Sequence, residues 1–140
     1  MNAYAKTIRV AAMVLSLTAC AVGNEEVLRS DESSMAIRSY QSRDFDADNK
    51  NITIMAVIAT LQDFDFVLDN LEPEMGAVTA TMLDGRRLRM TVIVKARDDR
   101  LFQVRASAQS GDQAIDNPEF YRDFFVALEK SLFLSTHGID

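Results

Sequence analysis

The stretch from Arg87 to Ser110 constrains the fold more than any other part of the chain. Leu88, Met90, Val92 and Val94 alternate with Arg89, Thr91, Ile93 and Lys95. After a turn at Asp98-Asp99 the chain returns with Phe102, Val104, Ala106 and Ala108 alternating against Gln103, Arg105 and Ser107. A side-chain period of two over consecutive runs specifies an antiparallel hairpin with one buried and one wet face. Two strands cannot shield such a face alone, so the remaining elements must cover it.

Two amphipathic helices supply the cover. Asp46-Ala47-Asp48-Asn49 offers several capping side chains ahead of Ile54, Val57, Ile58 and Leu61, which predicts a helix over 48–64 with one apolar stripe. Asp65 is placed to leave that helix, where a glycine would be the less strained choice for a left-handed conformation. Asp116-Asn117-Pro118-Glu119 sets a cap, a proline in the first turn and an acid suited to the helix dipole. Tyr121, Phe124, Phe125, Leu128 and Leu132 then follow at helical spacing, predicting a helix over 118–133.

Three more strands complete the reading. Residues 36–45 alternate loosely, 66–70 (Phe-Val-Leu-Asp-Asn) read as a short strand, and 77–82 alternate small apolar residues with Thr. Leu71 to Gly76 holds a Pro/Gly turn, and Asp84-Gly85 is a strong hairpin signal. The expected class is α+β: an antiparallel sheet of about five strands with two helices on one face, in the order β-α-β-β-β-β-α. That order matches TATA-box-binding-protein-like and helix-grip arrangements in topology only, and topology licenses no function.

Composition narrows the classes. The 140 residues are 48% apolar and 26% charged with a net charge of −6, and hold one Cys, one His and no Trp. A single Cys makes no internal disulfide, and a chain this acidic, with a sequence pI near 4.7, is a poor nucleic-acid binder. Eight Phe with balanced charge describe a folded domain rather than a disordered one.

The N-terminus reads as an address. Lys6 and Arg9 precede an apolar run from Val10 to Leu17 that ends in Leu17-Thr18-Ala19-Cys20. A basic segment, a short apolar segment and small residues before a cut site make a secretory signal too short to span a bilayer. Leu-Thr-Ala-Cys resembles the bacterial lipobox, which implies that residues 1–19 are removed and that Cys20 is acylated as the first mature residue. Several tens of buried CH₂ groups at about 0.8 kcal/mol each would then fix the protein to a membrane. The absence of Asp at positions 21 and 22 implies, by resemblance to the proteobacterial sorting rule, the periplasmic side of the outer membrane. Residues 20–35 read as the lipidated Cys and a flexible acidic linker with a reach on the order of 20 Å. Residues 36–140 read as a single domain. Without residues 1–19, 13 basic residues face 21 acidic ones, a net charge of −8.

Arg43-Asp44-Phe45-Asp46, Leu61-Gln62-Asp63-Phe64-Asp65-Phe66, and Asp116 to Phe125 with Ser131-Leu132-Phe133 resemble a group of small uncharacterised proteobacterial lipoproteins. The shared features are an arginine-led strand, a Leu-Gln-Asp-x-Gly-Phe helix exit and a Tyr-x-x-Phe-Phe final helix. Asp65 stands where the pattern has Gly. The resemblance implies no catalytic residues. A similarity of shape extends to the helix-grip domains of the lipoprotein C subunit of the outer-membrane β-barrel assembly machine.

The chemistry-bearing residues are sparse. His137 lies near the end without partners for a metal site or a catalytic set, and acylation would consume the Cys20 thiol. Asp44, Asp46 and Asp48 alternate, but the Gly and Glu of a calcium loop are missing, so helix capping is their expected role. Gln62 and Asp63 are expected to bond local backbone. No catalytic residue, metal or cofactor is implied. Arg87, Arg89, Lys95 and Arg105 should share the wet sheet face, a cationic stripe on an acidic protein and the candidate interaction face. The expected function is a non-enzymatic, lipid-anchored periplasmic interaction module with an envelope protein partner. The alternative is a small-ligand or lipid-binding helix-grip protein.

Overall fold

The computed structural model describes residues 33–83 and 87–137. The expected signal segment, Cys20, most of the expected linker and the Asp84-Gly85 hairpin signal lie outside the described residues. The chain divides into two compact units, Met1–Met35 and Ala36–Asp140. Only residues 33–35 of the first are described, and they are helical, where the sequence reading expects linker.

The second unit is an antiparallel sheet covered by helices. Residues 36–40 are helical (α1), followed by β1 (Ser42–Asp46), α2 (Lys50–Asp63), β2 (Val67–Glu72), β3 (Ala77–Met82), β4 (Leu88–Ala96), β5 (Leu101–Ser110), β6 (Gln113–Ala114) and α3 (Pro118–His137). The strands lie in the order β1-β5-β4-β3-β2, with the short β6 also pairing with β5.

The interior follows the expected parity. Met90, Val92 and Val94 of β4 and Phe102, Val104, Ala106 and Ala108 of β5 are buried in one core with Ile54, Val57 and Leu61 of α2 and Tyr121, Phe124, Phe125, Leu128 and Leu132 of α3. Thr53 and Thr60 are buried on α2 too, because each hydroxyl bonds the carbonyl four residues back and brings a satisfied polar group inward.

Five corrections to the sequence reading have physical causes. Residues 36–40 are helical rather than strand, so β1 begins at Ser42 and the described helices number three, not two. Ile37, Tyr40 and Gln41 sit at the i, i+3, i+4 spacing of one helical face, and Gln41 N–H closes the last turn on the Ile37 carbonyl at 3.1 Å. Asn49, not an Asp, caps α2 by accepting from Ile52 N–H at 3.0 Å. The aspartates before it instead pair with the β4–β5 turn: Arg100 reaches Asp46 and Asp48 at 3.2 Å each, and Arg97 reaches Asp44 at 3.8 Å. The final helix runs on to His137, since Ser135, Thr136 and the His137 Nδ1 all bond carbonyls of the preceding turn. Two residues after Gly111, which has φ +59°, the chain forms β6, the sixth strand.

The exit from α2 is a Schellman turn. Asp65 N–H bonds the Gln62 carbonyl, Phe66 N–H bonds the Leu61 carbonyl, and Asp65 takes φ +61°, the left-handed conformation its position demands. The Gln62 and Asp63 side chains themselves are exposed.

Candidate functional site

The pairing register arranges the wet face into rows across the strands. Thr79 of β3, Thr91 of β4 and Ser107 of β5 stand side by side, flanked by a row of Thr81, Arg89 and Gln109 and by a row of Ala77, Ile93 and Arg105. Lys95 stands opposite Gln103 in the next row. A side-chain period of two puts these residues on the side away from the helices.

Between the rows lies a polar trough. Gln41, Thr79, Arg89, Thr91, Ser107, Ala108, Gln109 and Ala114 line a depression of about 470 Å³, and Ile93, Lys95, Gln103 and Arg105 line a smaller one of about 100 Å³. The Thr79 and Thr91 hydroxyls are 3.4 Å apart, and the Ser107 hydroxyl donates to the Thr91 carbonyl at 3.4 Å. The Arg105 row lies four residues along β4 from Arg89, about 13 Å at strand rise, while Lys95 and Arg105 are diagonal neighbours about 7–8 Å apart.

One wall of the trough depends on a buried hydroxyl. Tyr121 is fully buried, and its hydroxyl donates to the Ile115 carbonyl at 2.6 Å while accepting from Ala108 N–H at 3.0 Å and from Gln41 Nε2 at 3.2 Å. It thus stands in for one ladder bond between Ala108 and Ile115, whose other bond, Ile115 N–H to the Ala108 carbonyl, is made directly at 2.9 Å. Tyr40 packs against Tyr121 at 5.7 Å and donates to the Asp116 carbonyl. The Tyr40 phenol is held above its ordinary value by desolvation first, then by Asp116 and Tyr121.

The expected cations meet unevenly. Arg89, Lys95 and Arg105 stand exposed on this face, and none has an ion pair with the described residues. Arg87 lies one residue before β4, exposed, and takes no part in lining either depression. Cys20 lies outside the described residues. His137 is the last residue of α3, stacked on Phe133 at 4.3 Å rather than loose in a tail. Gln41, Ser107 and Gln109 were missed as lining residues. The β5 alternation carried the signal for the latter two, whereas Gln41 was hidden by the strand reading of residues 36–45.

Chemically the face offers guanidinium, ammonium, hydroxyl and amide donors at its centre. Asp44 and Asp46 stand at the β1 margin and Asp69 and Glu72 at the β2 margin. Asp69 accepts from the Thr81 hydroxyl, and Glu72 accepts from Asn70. Among the described residues no group of three His, Cys, Asp or Glu is placed to hold a metal ion, and no helix is long and apolar enough to cross a membrane. No protein-family model matches the chain, and no curated protein matches it.

Proposed function

We propose that this protein is a non-enzymatic interaction module, tethered to the periplasmic side of the outer membrane by lipid on Cys20, whose open sheet face receives an acidic partner protein. The observation that carries the reading is the set of three exposed cations, Arg89, Lys95 and Arg105, beside a hydroxyl-lined trough and without ion partners among the described residues. Elsewhere the arginines of the β4–β5 turn and of Arg122 pair with nearby acids. Unpaired cations at the centre of a face on an acidic chain favour carboxylate-bearing partners through orientation and encounter rate more than through raw affinity.

The helix-grip reading of the fold accompanies this proposal, and a surface partner suits it better than an apolar ligand held inside. Val92, Val104, Phe124, Phe125 and Leu128 fill the space between sheet and α3 at 0–3% exposure. The lipobox-like Leu17-Thr18-Ala19-Cys20 supports the anchor.

Two experiments test the proposal. A photo-crosslinking residue at Thr91 in cells should give a defined adduct that disappears when Arg89→Glu and Arg105→Glu are combined. An adduct unaffected by that charge reversal overturns the acidic-partner reading. Separately, Cys20→Ala should move the protein from the membrane to the soluble fraction, and continued membrane attachment with normal processing overturns the anchor.

A further inference from the structure

The sheet has a second open feature, on the opposite side of β1 from β5. Antiparallel partners exchange hydrogen bonds at every second residue. Ala106 N–H bonds the Gln41 carbonyl and Ala47 N–H bonds the Arg100 carbonyl, at the two ends of the β1–β5 register. Arg43 and Phe45 share that parity, so the N–H and C=O groups of Ser42, Asp44 and Asp46 point away from β5. Among the described residues no strand pairs with that edge.

A groove of about 500 Å³ runs beside it, between β1 and the last turns of α3. Phe45, Leu132 and Phe133 form its apolar part, and Asp44, Asp46 and Glu129 stand on its rim with Arg100 and His137. Phe133 is 57% exposed, unusual for a large aromatic with no interior role. Arg43 lies over the Phe125 ring at 5.4 Å on the same edge.

We infer that this edge and groove form a strand-addition site for an extended protein segment in which basic residues alternate with apolar ones. The alternation follows from geometry. Residues of an added strand that exchange backbone bonds with Asp44 and Asp46 put their side chains on the same side of the sheet as those carboxylates, where Lys or Arg is favoured. The intervening residues face the helix side, toward Phe45, Leu132 and Phe133, where apolar groups are favoured. The ion pairs that Asp44 and Asp46 make with Arg97 and Arg100 are solvent-exposed and exchange readily with an incoming cation. A second copy of β1 is the wrong occupant, because antiparallel pairing centred on Asp44 or Phe45 sets acid against acid. This site is separate from the cationic face and stands or falls independently of it.

The test uses the full-length chain in detergent and a fluorescent acetyl-Lys-Val-Lys-Val-Lys-Val-amide peptide, read by anisotropy and amide hydrogen exchange. Binding should slow exchange at Ser42, Asp44 and Asp46. A peptide of the same composition in the order Lys-Lys-Lys-Val-Val-Val, one with Glu for Lys, and one methylated on the strand-facing nitrogens should each bind at least tenfold more weakly. Asp44→Lys with Asp46→Lys should lower affinity at least tenfold, and Phe133→Gln about fivefold with an unchanged melting temperature. If Phe133→Gln unfolds the chain, the methylated peptide still decides the matter. The inference is overturned if the methylated or blocked-order peptide binds as well as the parent, if protection appears on Leu68–Leu71 instead, if no peptide binds, or if the three amides already exchange slowly in the free chain.

Discussion

The two edges of the sheet are finished in opposite ways. At β2 the pairing with β3 shifts register between Leu68 and Asn70, and every residue of the strand is exposed, Val67 at 61%. A bulge with Asp69, Asn70 and Glu72 beside it is the usual means of keeping another strand from adding to an edge. At β1 the register with β5 is unbroken over five residues, and a groove with an apolar part and an acidic rim lies alongside. One edge is blunted and the other is left regular, and the difference shows that an edge strand's danger and its use have the same physical origin in unpaired backbone groups.

The edges are also held to the domain by different means, and the first two substitutions separate them. Beside β2, Gly76 takes φ +71°, its carbonyl accepts from Val94 N–H at 2.8 Å, and an added Cβ would meet the Val94 carbonyl oxygen at 2.3 Å. Both the conformation and the space exclude a side chain there. Gly76→Ala should cost about 3 kcal/mol or more and lower the melting temperature by roughly 10 °C or more, measured by circular dichroism. Beside β1, Tyr121→Phe leaves Gln41, Ala108 N–H and the Ile115 carbonyl without the shared hydroxyl, a loss of about 1–3 kcal/mol by denaturant titration. If Tyr121→Phe proves the more damaging, the β1 margin is the more strongly pinned of the two.

Smaller effects sharpen the contrast. Asp65→Gly, at the turn that feeds β2, relieves a left-handed non-glycine residue and should raise stability by roughly 1 kcal/mol, less the added freedom of the unfolded chain. Beside β1, the raised phenol of Tyr40 sets a pH dependence. The unfolded phenol ionises first near its ordinary 10.0, so its contribution is intact below pH 10 and declines as pH rises above that value. Thermal melts between pH 8 and 11 should show a decline that is shallower in Tyr40→Phe, and identical profiles would remove Tyr40 from the account.

Much of this architecture is readable from local pattern. The limits of β3 and β5, the face division of β4 and β5, and the left-handed exit at Asp65 all follow from residues within a few positions of one another. The misreadings share a different cause. Residues 36–40 present a weak alternation and a weak helical spacing at once, and β5 and α3 decide between them: Tyr40 packs on Tyr121, and Gln41 bonds both the Tyr121 hydroxyl and Ala106 N–H. Within the candidate site, the parity of Arg89, Lys95 and Arg105 was legible. The place of Gln41 in the trough wall was not, because its partner Tyr121 lies 80 residues away.

The sequence by itself determined that this chain makes an antiparallel sheet with one dry and one wet face, because a period of two in apolar residues leaves the backbone no other way to bury them. It also determined the positions of two helices, through caps and a 3.6-residue stripe, and the cationic character of the wet face. Only the tertiary structure decided which strands stand at the margins, that a tyrosine hydroxyl completes the ladder between Ala108 and Ile115, and that Phe133 opens onto a groove beside β1. Those outcomes depend on the lateral order β1-β5-β4-β3-β2, which is set by how distant segments share one core rather than by any local run of residues.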